Sequence, residues 1–411
     1  MVAVEDPTGG PVPAHVPADR VLKWTPETNP EMPNDPWAAY EKLREVAPGV
    51  FWSPESMESK GVWFATSYEL CREVLQEHKR FTTSMDFAPG INNAWPRRLI
   101  PLELDPPDHQ RYRSLLTPLF APAAIDRLDA GILATATELI DDVLDDGHCD
   151  FMSQFASLLP GTVFIQLLGL DPTERDRCTG WVETFLRSGT AEERRQVGID
   201  IQELLVGHIE AKRADPGPDL VSQLTLARVQ GERIEDEYIQ DICFLLFLAG
   251  LDTVGSGLGH MFRYLGEHEE KRQELIARPE LIPEAIEELL RWNSFVNVSR
   301  TVRVDTELGG VPMKKGDHIH VVLVLADRDE SVFDTPQDVN FERGQNPHLA
   351  FSAGVHRCVG SHLARRELRV AIEQWLTRVP DFHVPTGAQI TYSPYAHFTI
   401  EHLPLEWSTN L

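Results

Sequence analysis

The chain has 411 residues, 42% hydrophobic and 25% charged, an ordinary globular composition long enough for a sizeable core and an enclosed site. Its formal charge of −26 argues against broad binding to nucleic acid or anionic membranes. The five cysteines (Cys71, Cys149, Cys178, Cys243 and Cys358) are odd in number and dispersed without a CxxC pair, which argues against both a disulfide framework and a zinc site.

Residues 1–35 are rich in proline and are expected to run extended over the surface, leaving 36–411 as one large, mostly α domain. The start lacks the apolar stretch of a signal peptide, and the longest apolar run, "ICFLLFLAGL", stops at Asp252, too short to span a bilayer. A soluble, cytoplasmic protein is expected. Helical periodicity predicts helices over 36–47, 67–78, 123–144 and 194–214, with "ADPGPD" (214–219) as a loop. In "DPPDHQRYR" (105–113), Asp105 reads as an N-cap and Pro106 as the first helical residue. His109 and Arg113 then share a helix face.

"EDEYIQDICFLLFLAGLDTVGSGLGHMFRYLGEHEEKRQELI" reads as one very long central helix, with Leu245, Leu248, Ala249 and Asp252 on one face. Gly250, Asp252 and Thr253 interrupt its apolar run. A mid-helix glycine costs ~1 kcal/mol relative to alanine, and a buried unpaired carboxylate costs more. Thr253 is spaced to bond back to the carbonyl of Ala249 or Gly250, bending the helix and opening a groove. Either Asp252 is paired structurally, or an acid and an alcohol deliver protons into a dry pocket. Further on, "EELLR" sets Glu288 and Arg291 one turn apart, a pattern common on solvated helices. Hairpin strands are predicted around "GG" and "KKGD", then an irregular stretch "DESVFDTPQDVNFERGQNPH", a long helix over 361–378 and a β-like tail.

Cys358, in "HLAFSAGVHRCVGSHLARRE", directly precedes that last long helix. A lone cysteine is most often a small buried hydrophobe. At a helix N-terminus, however, free N–H groups and the dipole favour the thiolate. Gly354 and Gly360 would let the backbone turn tightly against a flat ligand. A hydrolase would need a positioned base and an oxyanion hole, and nothing else marks acyl transfer. His109, Arg113, Arg300 and His356 each read alone as surface or ion-pair residues; together they suit two buried carboxylates. An iron ligand explains both sets, because haem carries two propionates.

At this point the residues resemble the cytochrome P450 family, whose haem loop F-G-x-G-x-H-x-C-x-G is matched by "FSAGVHRCVG" (351–360). "AGLDT", "EELLR" and "HQRYR" occur in the family's order and approximate spacing, so the resemblance covers nearly the whole chain. It implies a mainly α triangular prism with small β sheets, haem b as cofactor, and Cys358 as the thiolate ligand to its iron. It further implies that His109, Arg113, Arg300 and His356 hold the propionates. Asp252 and Thr253 would govern proton delivery during dioxygen activation. Glu288 and Arg291 would form a structural pair, joined by Arg343. Ser352 stands where the family prefers glycine, implying a small local adjustment and a shifted redox potential.

"LAGLDTV", "SRT", "HLARRE", "WLTRVPDF", "GAQI" and "LPL" resemble the camphor-hydroxylating bacterial branch. That branch holds the camphor carbonyl with a tyrosine, and residues 85–103 contain none, which points away from camphor itself. Phe87, Trp95 (an anchor or lid), Leu245, Leu248, Val296 and Val298 are expected to line an apolar pocket suited to a terpenoid or ionone-like ketone. Arg97 and Arg98 are expected to be solvated. With no cluster-binding cysteines and no GxGxxG after a strand, electrons would come from a [2Fe-2S] ferredoxin, reduced by an NADH-dependent reductase and docking near Arg72, Arg111, Arg113 and Arg365. The alternatives are a peroxygenase on the same fold and a haem-based sensor or ligand carrier. The Asp252–Thr253 pair weighs against both.

Overall fold

The central apolar run folds as two helices rather than one in the computed structural model, which describes residues 12–54, 61–84, 97–394 and 397–409. They are Asp236–Gly250 and Thr253–Glu267, separated by Leu251 and by Asp252 at φ −122°, ψ −42°. Thr253 Oγ1 donates to the Ala249 carbonyl at 2.9 Å, the back-bond expected of it. Gly250 has a packing reason: a Cβ there would meet the Phe164 ring at 2.4 Å. The segment expected to prolong this helix is separate, Glu269–Ala277, because the chain turns at His268. Both central halves are deeply buried, so their length and apolarity reflect a core position.

The helix that follows the cysteine, Ser361–Arg378, lies against the second central half. Its Trp375 is fully buried and meets Phe262 of the central helix at 5.7 Å between ring centroids, while Phe262 stacks on Phe151 at 4.2 Å. Helices Pro36–Val46, Tyr68–Gln76 and Ala191–Ala214 form where periodicity places them. The last has a complete capping box at Thr190 and Glu193. The expected 123–144 helix is broken into Pro122–Ile125, a 3-10 turn and Asp129–Leu144. The expected surface segment, where described, contains a 3-10 turn, Ala18–Arg20, and buries Val16 and Met32.

A five-stranded sheet runs in the order Val50–Ser53, Val62–Ala65, His318–Val321, Val298–Val302 and Phe81–Thr82. The second and third strands are parallel; the other pairs are antiparallel. Arg300 stands opposite Ile319 in this register. The predicted "GG" hairpin pairs Thr306–Leu308 with Val311–Met313. Both of its glycines have positive φ, as a tight hairpin turn requires.

The irregular stretch from 327 has a few backbone turns of its own and is anchored to the rest of the fold by side chains. Arg291 is wholly buried and forks onto Glu288 at 2.8 Å through Nε and Nη2. It also donates to the carbonyls of Asp327, Pro336 and Asp338 at 2.8–3.1 Å. All five donors of one guanidinium are thereby used. Arg343 closes the knot, donating to both Glu288 oxygens at 2.9 and 3.1 Å. Burial alone would raise the Glu288 carboxyl, but Arg291 and Arg343 hold it below the ordinary range. Arg291→Ala should therefore cost ~3–5 kcal/mol, since it strands a buried carboxylate. Denaturant titration of the purified variant checks this; a loss under ~1 kcal/mol would contradict the knot's structural role.

Candidate active site

The Cys358 loop leaves the sheet side of the molecule and enters the Ser361–Arg378 helix through Gly360. The Cys358 N–H donates to the Phe351 carbonyl at 2.9 Å, closing the loop on itself. Gly354 has φ +72°, and a Cβ there would lie 2.5 Å from the Leu75 carbonyl oxygen, so the loop sits directly on the Tyr68–Gln76 helix. Ser352 also has positive φ, +60°, which explains why glycine suits this place. Its hydroxyl oxygen is buried without a partner.

Neighbouring elements grip the loop on both sides. Arg365 forks onto Glu287 at 2.5 and 2.6 Å and lies over the Phe351 ring, 4.4 Å from its centroid. His348 reaches the same Glu287 at 3.1 Å, and the Leu349 N–H donates to buried Asp327 at 2.7 Å. Burial opposes the Glu287 charge, yet Arg365 and His348 bring its carboxyl down to about 2. Cys358 is exposed although protein surrounds it, so it faces an internal space. Burial pushes its thiol up, while the Gly360 N–H, Arg113, Arg357 and Arg365 pull the other way.

All four expected cationic residues gather here. His109 is buried, meets His356 edge-to-face at 4.5 Å, and has no hydrogen-bond partner on either ring nitrogen. His356 pairs only with the Thr83 hydroxyl, at 3.1 Å. Arg300 is buried and donates to the Ser299 carbonyl at 2.7 Å, and Arg113 donates to the Arg357 carbonyl at 2.6 Å. Among the described residues, neither arginine has a carboxylate in ion-pair contact. Burial lowers Arg300 to about 10, His109 to about 4 and His356 to about 2. Asp105, the acid acting on Arg300, is engaged by Thr82 and Arg303. That engagement also corrects the expected cap: the helix begins at Asp108, and Asp105 supplies its backbone carbonyl to the His109 N–H.

Opposite, the break in the central helix is polar. Asp252 divides its carboxylate between two basic side chains that its own sequence neighbourhood does not reveal. Arg187, from the turn Thr184–Ser188, binds Oδ1. His397, buried immediately before the strand Phe398–Ile400, has Nε2 2.6 Å from Oδ2. Burial raises the Asp252 carboxyl, but His397 and Arg187 outweigh it and hold it below the ordinary range. Ala249 is exposed between buried neighbours, and Leu245, Thr253, Val296 and Val298 are partly exposed, whereas Leu248 is buried. Exposure in the middle of a core helix marks an internal cavity. Phe87 and Trp95 lie outside the described residues. Arg97 is not solvated as expected; it forks onto buried Asp241 of the central helix at 2.6 and 2.9 Å. Of the expected docking arginines, Arg72 pairs with Glu69, Arg111 with Asp108 and Arg365 with Glu287.

A cysteine facing an internal space, beside two arginines with no carboxylate in ion-pair contact among the described residues and two neutral imidazoles, suits a flat dianionic ring and points to a haem-thiolate protein. A profile described as Cytochrome P450 matches residues 184–386. The chain is 34% identical over 406 residues to the probable cytochrome P450 127A1 of Sinorhizobium fredii, covering 97% of both proteins. It is 32% identical over 378 residues to a steroid C26-monooxygenase of Mycobacterium tuberculosis, covering 90% of this chain and 92% of that one. The solved structure of cytochrome P450 CYP101C1 superposes with a TM-score of 0.88 at 31% identity, covering 97% of this chain and 100% of the other. The chain belongs to the cytochrome P450 family of monooxygenases, whose cofactor is haem b.

Ser352→Gly should raise stability by ~0.5–1 kcal/mol, as relief of the left-handed backbone exceeds the entropy that glycine adds to the unfolded chain. Equilibrium unfolding measures it; destabilisation would show that the serine hydroxyl has a partner worth more than the strain.

Proposed function

We propose that this protein hydroxylates a compact apolar substrate, a terpenoid or ionone-like norisoprenoid, in the cytoplasm, with dioxygen and electrons from a [2Fe-2S] ferredoxin reduced by an NADH-dependent partner. The observation that carries the reading is an exposed cysteine at the head of a core helix together with a central core helix that breaks at a polar, partly exposed turn. Cys358 holds the haem iron through Sγ. His109, Arg113, Arg300 and His356 hold the propionates, which answers the buried charge they otherwise carry alone. When bound, haem b supplies the redox chemistry that splits dioxygen and inserts one oxygen atom into a C–H bond.

The chain's own residues orient the substrate, exclude water and move protons. Leu245, Val296 and Val298 offer apolar surface, with buried Leu248 packed away from it, so binding rests on shape more than on polar anchors. Thr253 holds its hydroxyl beside the helix break through the bond to Ala249, and Asp252 carries protons toward it from the outer side. An acid–alcohol pair kept in place supports dioxygen over peroxide as the oxidant, and a catalyst over a sensor. The names of relatives point to bulkier substrates: a steroid, a methyl-branched lipid and the macrolide mycinamicin IV. The camphor-branch resemblance and the likeness to CYP101C1 favour the compact class. For electron delivery, exposed Arg72 and Arg111 would re-pair with an acidic ferredoxin, exchanging Glu69 and Asp108, while Arg113 and Arg365 would add positive potential from within the site.

In the reduced, carbon-monoxide-treated protein the Soret band should be strongly red-shifted, and Cys358→Ser should abolish the shift while the fold persists. Thr253→Ala should keep the band and substrate binding but lower product per electron by ~10-fold, with the electrons appearing as hydrogen peroxide. Unchanged coupling would remove Thr253 from proton delivery. Titrating terpenoids, steroids and branched fatty acids for a low-to-high spin shift tests the substrate class; a shift with steroids alone would overturn the compact-substrate reading.

A further inference from the structure

The carboxylate of Asp252 is met by two basic side chains of different chemistry. Arg187 occupies Oδ1, and a guanidinium does not give up a proton in a protein. His397 stands at Oδ2, 2.6 Å away, and imidazole is the one side chain whose ordinary titration falls near neutral pH. The consequence for Asp252 is restrictive. Its partners stabilise its charge, so at neutral pH it is ionised and stores no proton of its own. A carboxylate in that state can pass protons inward only if a donor beside it reloads it.

We propose that His397 is that donor, a positioning and proton-holding residue that hands its Nε2 proton to Asp252 Oδ2. The step moves one proton: the Nε2–H bond breaks, an Oδ2–H bond forms, and the neutral imidazole regains a proton from solvent before the next transfer. No electron moves. The surroundings limit which groups can compete. The 184–188 turn contributes Arg187, and the helix break contributes Asp252. The second central half contributes His260, which burial lowers to about 3, so that it stays neutral; its Nε2 lies 2.7 Å from the Phe398 carbonyl. Arg263 acts on His260 from the same helix. The segment after the Glu288 helix contributes the Phe295 ring, 6.0 Å from the His397 ring, and a backbone bridge from Val296. The hydroxyls of Thr399 and Ser256 pair at 2.7 Å, with Arg187 donating to Thr399 at 3.2 Å, so a polar path continues beside the trio. His397 is thus, among the described residues, the one imidazole in contact with the Asp252 carboxylate.

This inference rests on assigning Asp252 to proton delivery, and the experiment separates the two. In the haem-loaded enzyme, product per electron is measured against pH between about 5 and 8 for wild type, His397→Gln and Asp252→Asn. The His397 titration is followed in parallel by nitrogen NMR of labelled histidine. Wild-type coupling should fall as pH rises through the His397 midpoint. His397→Gln should flatten that profile and lower coupling several-fold at neutral pH, with the carbon-monoxide band and substrate spin shift intact. The His397 midpoint should fall in Asp252→Asn, because the carboxylate no longer supports the imidazolium; this readout does not need the His397 variant to fold. A wild-type pH profile in His397→Gln, or a midpoint indifferent to Asp252→Asn, would overturn the inference. If Asp252→Asn itself leaves turnover and coupling unchanged, the proton-delivery reading falls first; if Asp252→Asn is slow and His397→Gln is not, only His397 is removed.

Discussion

Buried positive charge without a carboxylate to answer it is the constraint on which the site depends. Arg300 lies out of solvent beside half-buried Arg113, burial weakens the charged form of both, and His109 and His356, lowered to about 4 and about 2, stand beside them as neutral imidazoles. Such a cluster costs several kcal/mol if left alone. It is tolerable when a dianion completes it, and the two propionates of haem b would be such a dianion. Cofactor and protein therefore complete one another electrostatically as well as through sulfur. One sheet strand, the helix Asp108–Leu116 and the cysteine loop each supply part of the set, so the cluster also ties together segments far apart in the chain.

The cysteine loop itself has little regular structure, and adjacent residues of one helix hold the region around it. Successive helical residues point ~100° apart, so Glu287 and Glu288 serve different neighbours. Glu287 takes Arg365 and His348 on either side of the cysteine. Glu288 takes Arg291 and Arg343 and organises the irregular segment that leads to it. Charge pairs of this kind are exchanged for backbone ladders where a loop must adopt one shape without forming a sheet. The opposite wall of the cavity uses a third carboxylate, Asp252, in the same manner but with a titratable partner.

Much of this was legible in the sequence because it is local. Helix periodicity, the "GG" hairpin and the back-bond of Thr253 to Ala249 all depend on spacings of four residues or fewer. The cationic set was legible only as residue types; its convergence is a property of the fold. What sequence missed is long-range. Arg187 and His397 lie far from Asp252 along the chain, and neither stands in a pattern that marks it. Asp105 failed as a cap because Thr82 and Arg303 compete for its carboxylate, and Arg97 is drawn from solvent by Asp241 for the same kind of reason. The central helix divides where a short polar run meets a cavity, which composition could suggest but not locate. Ser352 was visible as a departure from glycine, while its left-handed backbone was not.

The most direct test of the electrostatic complement is a comparison of haem b with its dimethyl ester, which keeps the iron and ring but neutralises both propionates. Their binding to the cofactor-free protein is followed by Soret absorbance. Charge-assisted hydrogen bonds contribute ~1.5–3 kcal/mol each, so the ester should bind ~100-fold or more weakly. Equal affinity for the two would contradict the view that His109, Arg113, Arg300 and His356 exist to receive a dianion.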